Sequence, residues 1–387
     1  MIIEVVNAIA YGGSPLENND NAERSWELNS GSEWDVTSEN VIKFVQQVNK
    51  KIEVSAKEYT TFKNTPGLRD FPSLLSAYLS DESSFEDFHT TYTERRLASS
   101  LASSRLEEGA VIVFIHYKIR QNPVAIVGEE TDEVYDVSDL EIVKNKFQVL
   151  MVRNTGALKF TDDYQIAETA VIDLRQFVQG CQIDIPRFTA ETSSVDEPDN
   201  FLTFVKGGGE VRDYFKDALF AEKGITNKAS SQNVERALND FWISNKNSLD
   251  RSVRDEINSN VYIFSEDNKK RVVTLEQISA IVDRCIPDES ADIRGQFVNF
   301  ANEGPYEIND EFELSSNIIK ELVYVNLDVG FAKLVLEKSE IGELTDNNRH
   351  VKFNPDTGQV TFTTTLDDDQ IEMINAILGN NQSEDNE

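Results

Sequence analysis

The sequence predicts an α+β fold: N-terminal helices packed on an antiparallel sheet, followed by a mainly helical C-terminal domain ending in a β-hairpin. Three observations predict it. Apolar residues recur at helical spacing before Ala110, short runs rich in Val and Ile follow, and helical spacing returns after Phe201 before two late strand pairs. The stretch from Thr189 to Asn200 is rich in Ser, Asp and Glu and carries Pro198, which places a domain boundary there. The expected domains are 1–190, 200–379 with a helical hairpin over 201–242, and a polar, disordered tail over 380–387.

In chain order, Ile2 to Ala10 alternates loosely as an opening strand, and Tyr11-Gly12-Gly13-Ser14-Pro15 ends it. Glu17 to Ser32 reads as a loop or a long hairpin. Val41, Phe44, Val45, Val48 and Ile52 then share one helix face, and Phe71, Leu74, Leu75, Tyr78 and Leu79 another. Ser83 with Glu86 forms a capping box for a third helix carrying Phe85, Phe88 and Tyr92. Ala110–Tyr117, Pro123–Val127, Phe147–Val152 and Ala170–Leu174 read as strands, the first two joined by a turn at Gln121-Asn122-Pro123. Further on come helices over about Leu249–Phe264, after a Thr274/Gln277 capping box, and over about Ala291–Ala301. Strands at Leu322–Leu327 and Phe331–Leu336 flank Gly330. A hairpin turned by Pro355-Asp356-Thr357-Gly358 and a short helix with Ile371, Ile374 and Leu378 close the chain.

Composition narrows the function classes. The 387 residues, 39% hydrophobic and 9% aromatic, suit a globular chain of two or three domains. No apolar run reaches the roughly 20 residues that span a bilayer, and the N-terminus lacks the basic start and cleavage site of a signal peptide. Cys181 and Cys285 are too few and too far apart for a disulfide framework or a zinc site, so the expected compartment is cytoplasmic. An excess of 69 acidic over 37 basic residues, a net charge of -32, argues against a general DNA coat and confines any nucleic-acid contact to a local site. His89, His116 and His350 stand in no metal or nucleophile motif, and His116 lies inside a strand, where a packed imidazole is the common case. Seven acidic residues between Glu129 and Glu141 match no cation-binding spacing and read as a solvated loop. No catalytic residue, metal or cofactor is expected.

The informative stretch is Phe201–Trp242. Phe-Leu-Thr-Phe-Val-Lys leads into Gly207-Gly208-Gly209, then a helix with Val211, Tyr214, Phe215 and Leu219 on one face. Gly224 is placed to stop it. A second helix, capped by Ser230 or Ser231, carries Val234, Ala237, Leu238, Phe241 and Trp242, so one shared aromatic core between the two helices is expected. Lys206, Arg212, Lys216, Lys223, Lys228 and Arg236 face Glu210, Asp213, Asp217, Glu222 and Glu235, which makes this stretch nearly neutral in an acidic chain. Two readings stay open: a solvated face with i,i+4 pairs, or a phosphate-contacting surface using these cations and the backbone N–H groups from Gly207 onward. No Gly-Lys-Ser/Thr follows the glycines, which excludes a Walker A loop.

The same residues carry a resemblance. Phe-Leu-Thr-Phe-Val-Lys-Gly, the Tyr-Phe helix, Gly-Ile-Thr-Asn-Lys-Ala and Ala-Leu-Asn-Asp-Phe resemble the bacterial nucleoid-associated protein family of the YejK/NdpA type. Asn7-Ala8-Ile9-Ala10, Val113-Phe114-Ile115-His116-Tyr117 and Phe353-Asn354-Pro355-Asp356-Thr357-Gly358 agree in order. The resemblance implies a nucleoid-located, non-catalytic protein that binds double-stranded DNA, in a family linked to topoisomerase IV. The chain departs from the family at Gly208-Gly209-Glu210, where basic residues are expected. Three functions remain: a DNA-binding nucleoid protein centred on the hairpin, an acidic adaptor docking on a basic partner such as topoisomerase IV, or, last, a metal-dependent nuclease using the acidic loop. A homo-oligomer is compatible with each.

Overall fold

The computed structural model describes residues 2–16, 25–102, 109–121, 140–153, 163–164, 177–191, 200–206, 213–222 and 227–379. The expected strands at Pro123–Val127 and Ala170–Leu174, the acidic run up to Asp139, Gly224 and the tail over 380–387 lie outside them.

Seven antiparallel strands form the first layer: β1 (Ile2–Leu16), β2 (Ser25–Ser30), β3 (Lys57–Thr60), β4 (Ala110–Gln121), β5 (Glu141–Arg153), β6 (Phe177–Asp184) and β7 (Leu202–Lys206). Their spatial order is β2-β1-β4-β5-β6-β7-β3. Strand β4 is interior, between β1 and β5, and buried on both faces, which is why it reads as the unbroken run Ala-Val-Ile-Val-Phe-Ile. Its Val111, Val113, Ile115 and Tyr117 meet α1 (Glu39–Val54) through Val41, Phe44, Val45, Val48 and Ile52, the five positions the helical period picks out. Its Ala110, Ile112 and Phe114 face the other way, into a core with α2 (Phe71–Leu79), α3 (Phe85–Tyr92) and α4 (Ala98–Ala102). Phe88 is central there, its ring within 5.4 Å of Phe147 and 5.6 Å of Phe71. The cap of α3 is one residue later than expected: Ser84, not Ser83, accepts from the Asp87 N–H. After β6, α5 (Ile185–Glu191) sends Phe188 into the same core.

The Phe201–Trp242 stretch departs most from expectation. Leu202 to Lys206 is sheet, with Leu202 and Phe204 in the first core. Tyr214, Phe215, Ala218 and Leu219, on or just after α6 (Asp213–Ala218), join that core, and Phe215 meets Phe204 edge-on at 5.9 Å. Val234, Ala237, Leu238 and Phe241 of α7 (Asn227–Ser244) belong to a separate core, so the two helices share no aromatic seam. Helical period identifies an apolar face but not the core it enters. Ser230 and Ser231 are also not caps. They are buried inside α7, where Ser231 Oγ bonds back to the Asn227 carbonyl and accepts from the Ser315 N–H at 2.8 Å.

The second core is built from α7, α8 (Arg251–Asp267), α9 (Leu275–Cys285), α10 (Phe297–Glu303) and α11 (Ser316–Val323). The short pair β8 (Val272–Thr274) and β9 (Glu311–Glu313) closes it. The Thr274/Gln277 capping box forms as expected. In place of one helix over Ala291–Ala301, a 3-10 turn over Asp288–Ile293 precedes α10, and Gly295 stands between them at φ 76°. The chain then forms the hairpin β10 (Tyr324–Asp328)–β11 (Lys333–Glu337) and the sheet of β12 (Ile341–Glu343), β13 (Val351–Asn354) and β14 (Gln359–Phe362). The last helix is α12 (Asp368–Leu378).

Phe215 and Phe241 are both at most 2% exposed and lie in different cores. Phe215→Ala and Phe241→Ala should each cost about 3–5 kcal/mol. The double variant should cost their sum to within about 0.5 kcal/mol, as for sites without shared partners. Urea unfolding of the four proteins checks this, and a coupling energy above about 1 kcal/mol would instead favour one shared core.

Candidate nucleic-acid interface

The described members of the expected basic set lie around the place where the edge strand β3 meets the segment between α10 and α11. Strand β3 pairs on one side with β7. On its free side the Asp310 N–H donates to the Lys57 carbonyl at 2.8 Å, and the Tyr59 N–H donates to Asn309 Oδ1 at 2.9 Å. Lys57 itself was not singled out by sequence. It is 6% exposed, and its Nζ donates to the Glu53 carbonyl at 2.7 Å and the Asn302 carbonyl at 2.5 Å. Those carbonyls lie in the last turns of α1 and α10, so one ammonium sits at two negative helix ends. Burial nevertheless lowers its pKa to about 8, with Glu53 and Glu303 opposing the shift.

Lys206 ends β7 and pairs with the Asp310 carboxylate, with Glu311 at 4.0 Å. Burial works to depress its pKa, but the Asp310 hydrogen bond and charge, with Glu311 and Glu276, raise it. Lys216 on α6 pairs with Glu58 of β3 at 2.6 Å. Arg236 on α7 lies 4.0 Å from Asp240 and 5.2 Å over the Tyr306 ring. Tyr306 donates to Asp240 at 2.8 Å. Lys228 stands exposed in the first turn of α7, which contains no acidic residue, and no described carboxylate pairs with it. The same first turn is tied to β9 by the Glu313 N–H, which donates to Asn227 Oδ1 at 3.1 Å. Lys206, Lys216, Lys228 and Arg236 therefore surround one junction, three of them engaged by carboxylates. Gly207, Arg212 and Lys223 lie outside the described residues.

The histidines and thiols are held in other ways. His116 Nδ1 lies 2.7 Å from the Tyr78 hydroxyl and Nε2 2.9 Å from Asn145 Oδ1. His89 Nδ1 lies 2.6 Å from the Tyr11 hydroxyl. Burial pushes both imidazoles down to about 4, so both are neutral packing groups at neutral pH. Burial also raises the thiol pKa of Cys181 and of Cys285, away from the thiolate form that nucleophilic chemistry needs. Among the described residues no group of three His, Cys, Asp or Glu side chains is placed to hold a metal ion. No helix among them is long and apolar enough to cross a membrane.

Unfolded histidine titrates near 6.5. Between pH 6.5 and about 4 the unfolded chain therefore binds protons that the folded chain excludes, and stability falls as pH falls through that window. His116→Gln removes one of these sites. The stability advantage of the parent over this variant should shrink steadily from pH 6.5 to 4 in thermal unfolding, and a pH-independent difference would contradict neutral burial of His116.

Residues 16–364 match the family described as "Nucleoid-associated protein YejK". A protein of that name from Shigella sonnei is 22% identical over 329 residues, covering 82% of this chain and 86% of its own length. Namesakes from Escherichia coli K12 and Shigella boydii serotype 18 are each 22% identical over 291 residues, covering 74% of this chain and 75% of their own. With most of its length matched, the chain belongs to the YejK family of nucleoid-associated proteins.

Proposed function

We propose that the protein binds double-stranded DNA in the cytoplasmic nucleoid without catalysing a reaction, and that the contact is centred on the first turn of α7. The observation that carries this is Lys228. It is an exposed cation at the positive end of an 18-residue helix with no acidic residue in its first turn, and it remains unneutralised among the described residues of an otherwise acidic protein. Arg236 lies two turns further along α7 and is half exposed. Lys223 shortly precedes the same helix in sequence, Gly207 and Arg212 lie between β7 and α6, and the three complete the proposed contact set. Lys206 and Lys216 contribute less, because a phosphate would have to displace Asp310 or Glu58 from them.

A second reading rests on the net charge of -32 and on those carboxylate-engaged lysines: the protein docks through acidic surface on a basic partner such as topoisomerase IV. Gel-shift titrations on duplex DNA at several salt concentrations separate the two. If DNA contact is direct, Lys228→Ala should lower the slope of log affinity against log salt by about 0.9, equally on unrelated sequences. Lys206→Ala and Lys216→Ala should change it by clearly less. A protein that fails to bind duplex DNA even at low salt rules out direct contact, and co-purification with topoisomerase IV then becomes the relevant measurement.

A further inference from the structure

The C-terminal β-sheet and helix are left unfinished by the single chain. Every residue from Pro355 to Ile374 is exposed, and α12 buries none of its side chains. The helix is nonetheless well specified. Asp367 and Gln370 form a full capping box, and Gly379 ends it in the left-handed conformation at φ 73°. Ile371, Ile374 and Leu378 lie on one face at helical spacing, with Ile377 beside them 79% exposed. An isolated helix of 11 residues is marginal in water, so this apolar face calls for packing.

The sheet is incomplete in the same way. Among the described residues its order is β12-β13-β14, so β14 is an edge there, with no strand paired along its outer side. Gln359-Val360-Thr361-Phe362 carries no charge, no proline and no bulge, none of the devices that keep an edge from pairing. The register places Val360 beside Phe353 and Phe362 beside Val351, so Phe353, Val360 and Phe362 share one face, each at least 39% exposed.

We infer that a second copy of this chain completes the unit, the β14 strands pairing antiparallel across a two-fold axis to make a six-stranded sheet with both α12 helices against its apolar face. Antiparallel pairing of identical strands is self-complementary, as a two-fold interface must be. Centring the axis at Thr361 sets Val360 of each copy opposite Phe362 of the other and keeps all four on one face. The area is also sufficient. Nine large apolar side chains between Phe353 and Leu378 are exposed, and their exposed fractions sum to roughly 800 Å² at about 170 Å² per side chain. That is about what each partner contributes to a stable interface, and more than the largest apolar patch of an ordinary monomer. Chemistry excludes anionic occupants. From Phe353 to Gly379 the chain carries Asp356, Asp367, Asp368, Asp369 and Glu372 and no Lys, Arg or His, so neither nucleic acid nor an anionic membrane is attracted.

The test is the mass of the full chain by analytical ultracentrifugation at micromolar concentration. The expected parent mass is twice 43.7 kDa. Ile374→Asp with Ile377→Asp should raise the dimer dissociation constant about 100-fold or more while leaving circular dichroism and thermal unfolding of the internal cores unchanged. In a separate variant, Thr361→Cys should form an intermolecular disulfide on mild oxidation, against the low background of the buried Cys181 and Cys285. A parent that is monomeric, or a dimer that survives the α12 substitutions, overturns the inference, as does a Thr361→Cys dimer that does not crosslink.

Discussion

An ammonium closed off from water at the start of β3 holds the α1 side of the sheet and the helical core in one arrangement. Lys57 has to satisfy its donors on the carbonyls of Glu53 and Asn302, one in the last turn of α1 and the other in the last turn of α10. Either helix moving away would leave a buried charge with too few partners, which costs far more than the hydrogen bonds contribute when made. The same few residues manage the open edge of the sheet. Asp310 and Asn309 take the free backbone groups of β3, while just beyond it the Glu222 N–H donates to Thr61 and the Lys63 N–H to Phe220, each at 2.8 Å. An edge strand that would otherwise invite a foreign strand becomes the seam between the sheet and the helical core.

That seam also decides which cations are left for anything else. Segment 307–311 brings Glu307, Asp310 and Glu311 against the sheet, and they engage Arg187 and Lys206. Glu58 of β3 takes Lys216. These pairs are half-buried, and they fix the junction more than they offer charge to solvent. Lys228 escapes because it lies on the outer side of α7, whose inner side carries Ser230 and Ser231 toward the Asn309 and Ser315 N–H groups. A residue's availability here follows from which side of one helix the seam occupies.

The sequence made periodic features legible and long-range ones not. The five buried positions of α1, the strands around Val113 and Val149, and the Thr274/Gln277 cap all follow from spacing within a few residues. Strand β3 was invisible because Lys-Glu-Tyr-Thr is short and mostly polar, its Lys57 buried by partners distant in sequence. Strand β6, Phe-Val-Gln-Gly-Cys-Gln-Ile-Asp, mixes polar residues and a glycine into a fully interior position between β5 and β7. The apolar faces of α6 and α7 were legible, but nothing local says that Phe215 and Phe241 turn to different cores. The candidate cations were legible as residues. The pairing of Lys206 with Asp310 is a tertiary fact, and it separates a structural lysine from an available one.

A net charge of -32 and membership of a nucleoid-associated family look contradictory only if the protein is treated as a uniform body. At physiological ionic strength the Debye length is about 8 Å, so exposed carboxylates farther than this from a bound phosphate repel it weakly. On the reading proposed above, attraction at contact depends on the nearest cations, and the first turn of α7 places Lys228 there without a carboxylate of its own. On that same proposal the acidic remainder would act chiefly on approach, slowing association and suppressing extended coating of a polyanion. Such a distribution favours few, local contacts per molecule, the opposite of a basic histone-like surface.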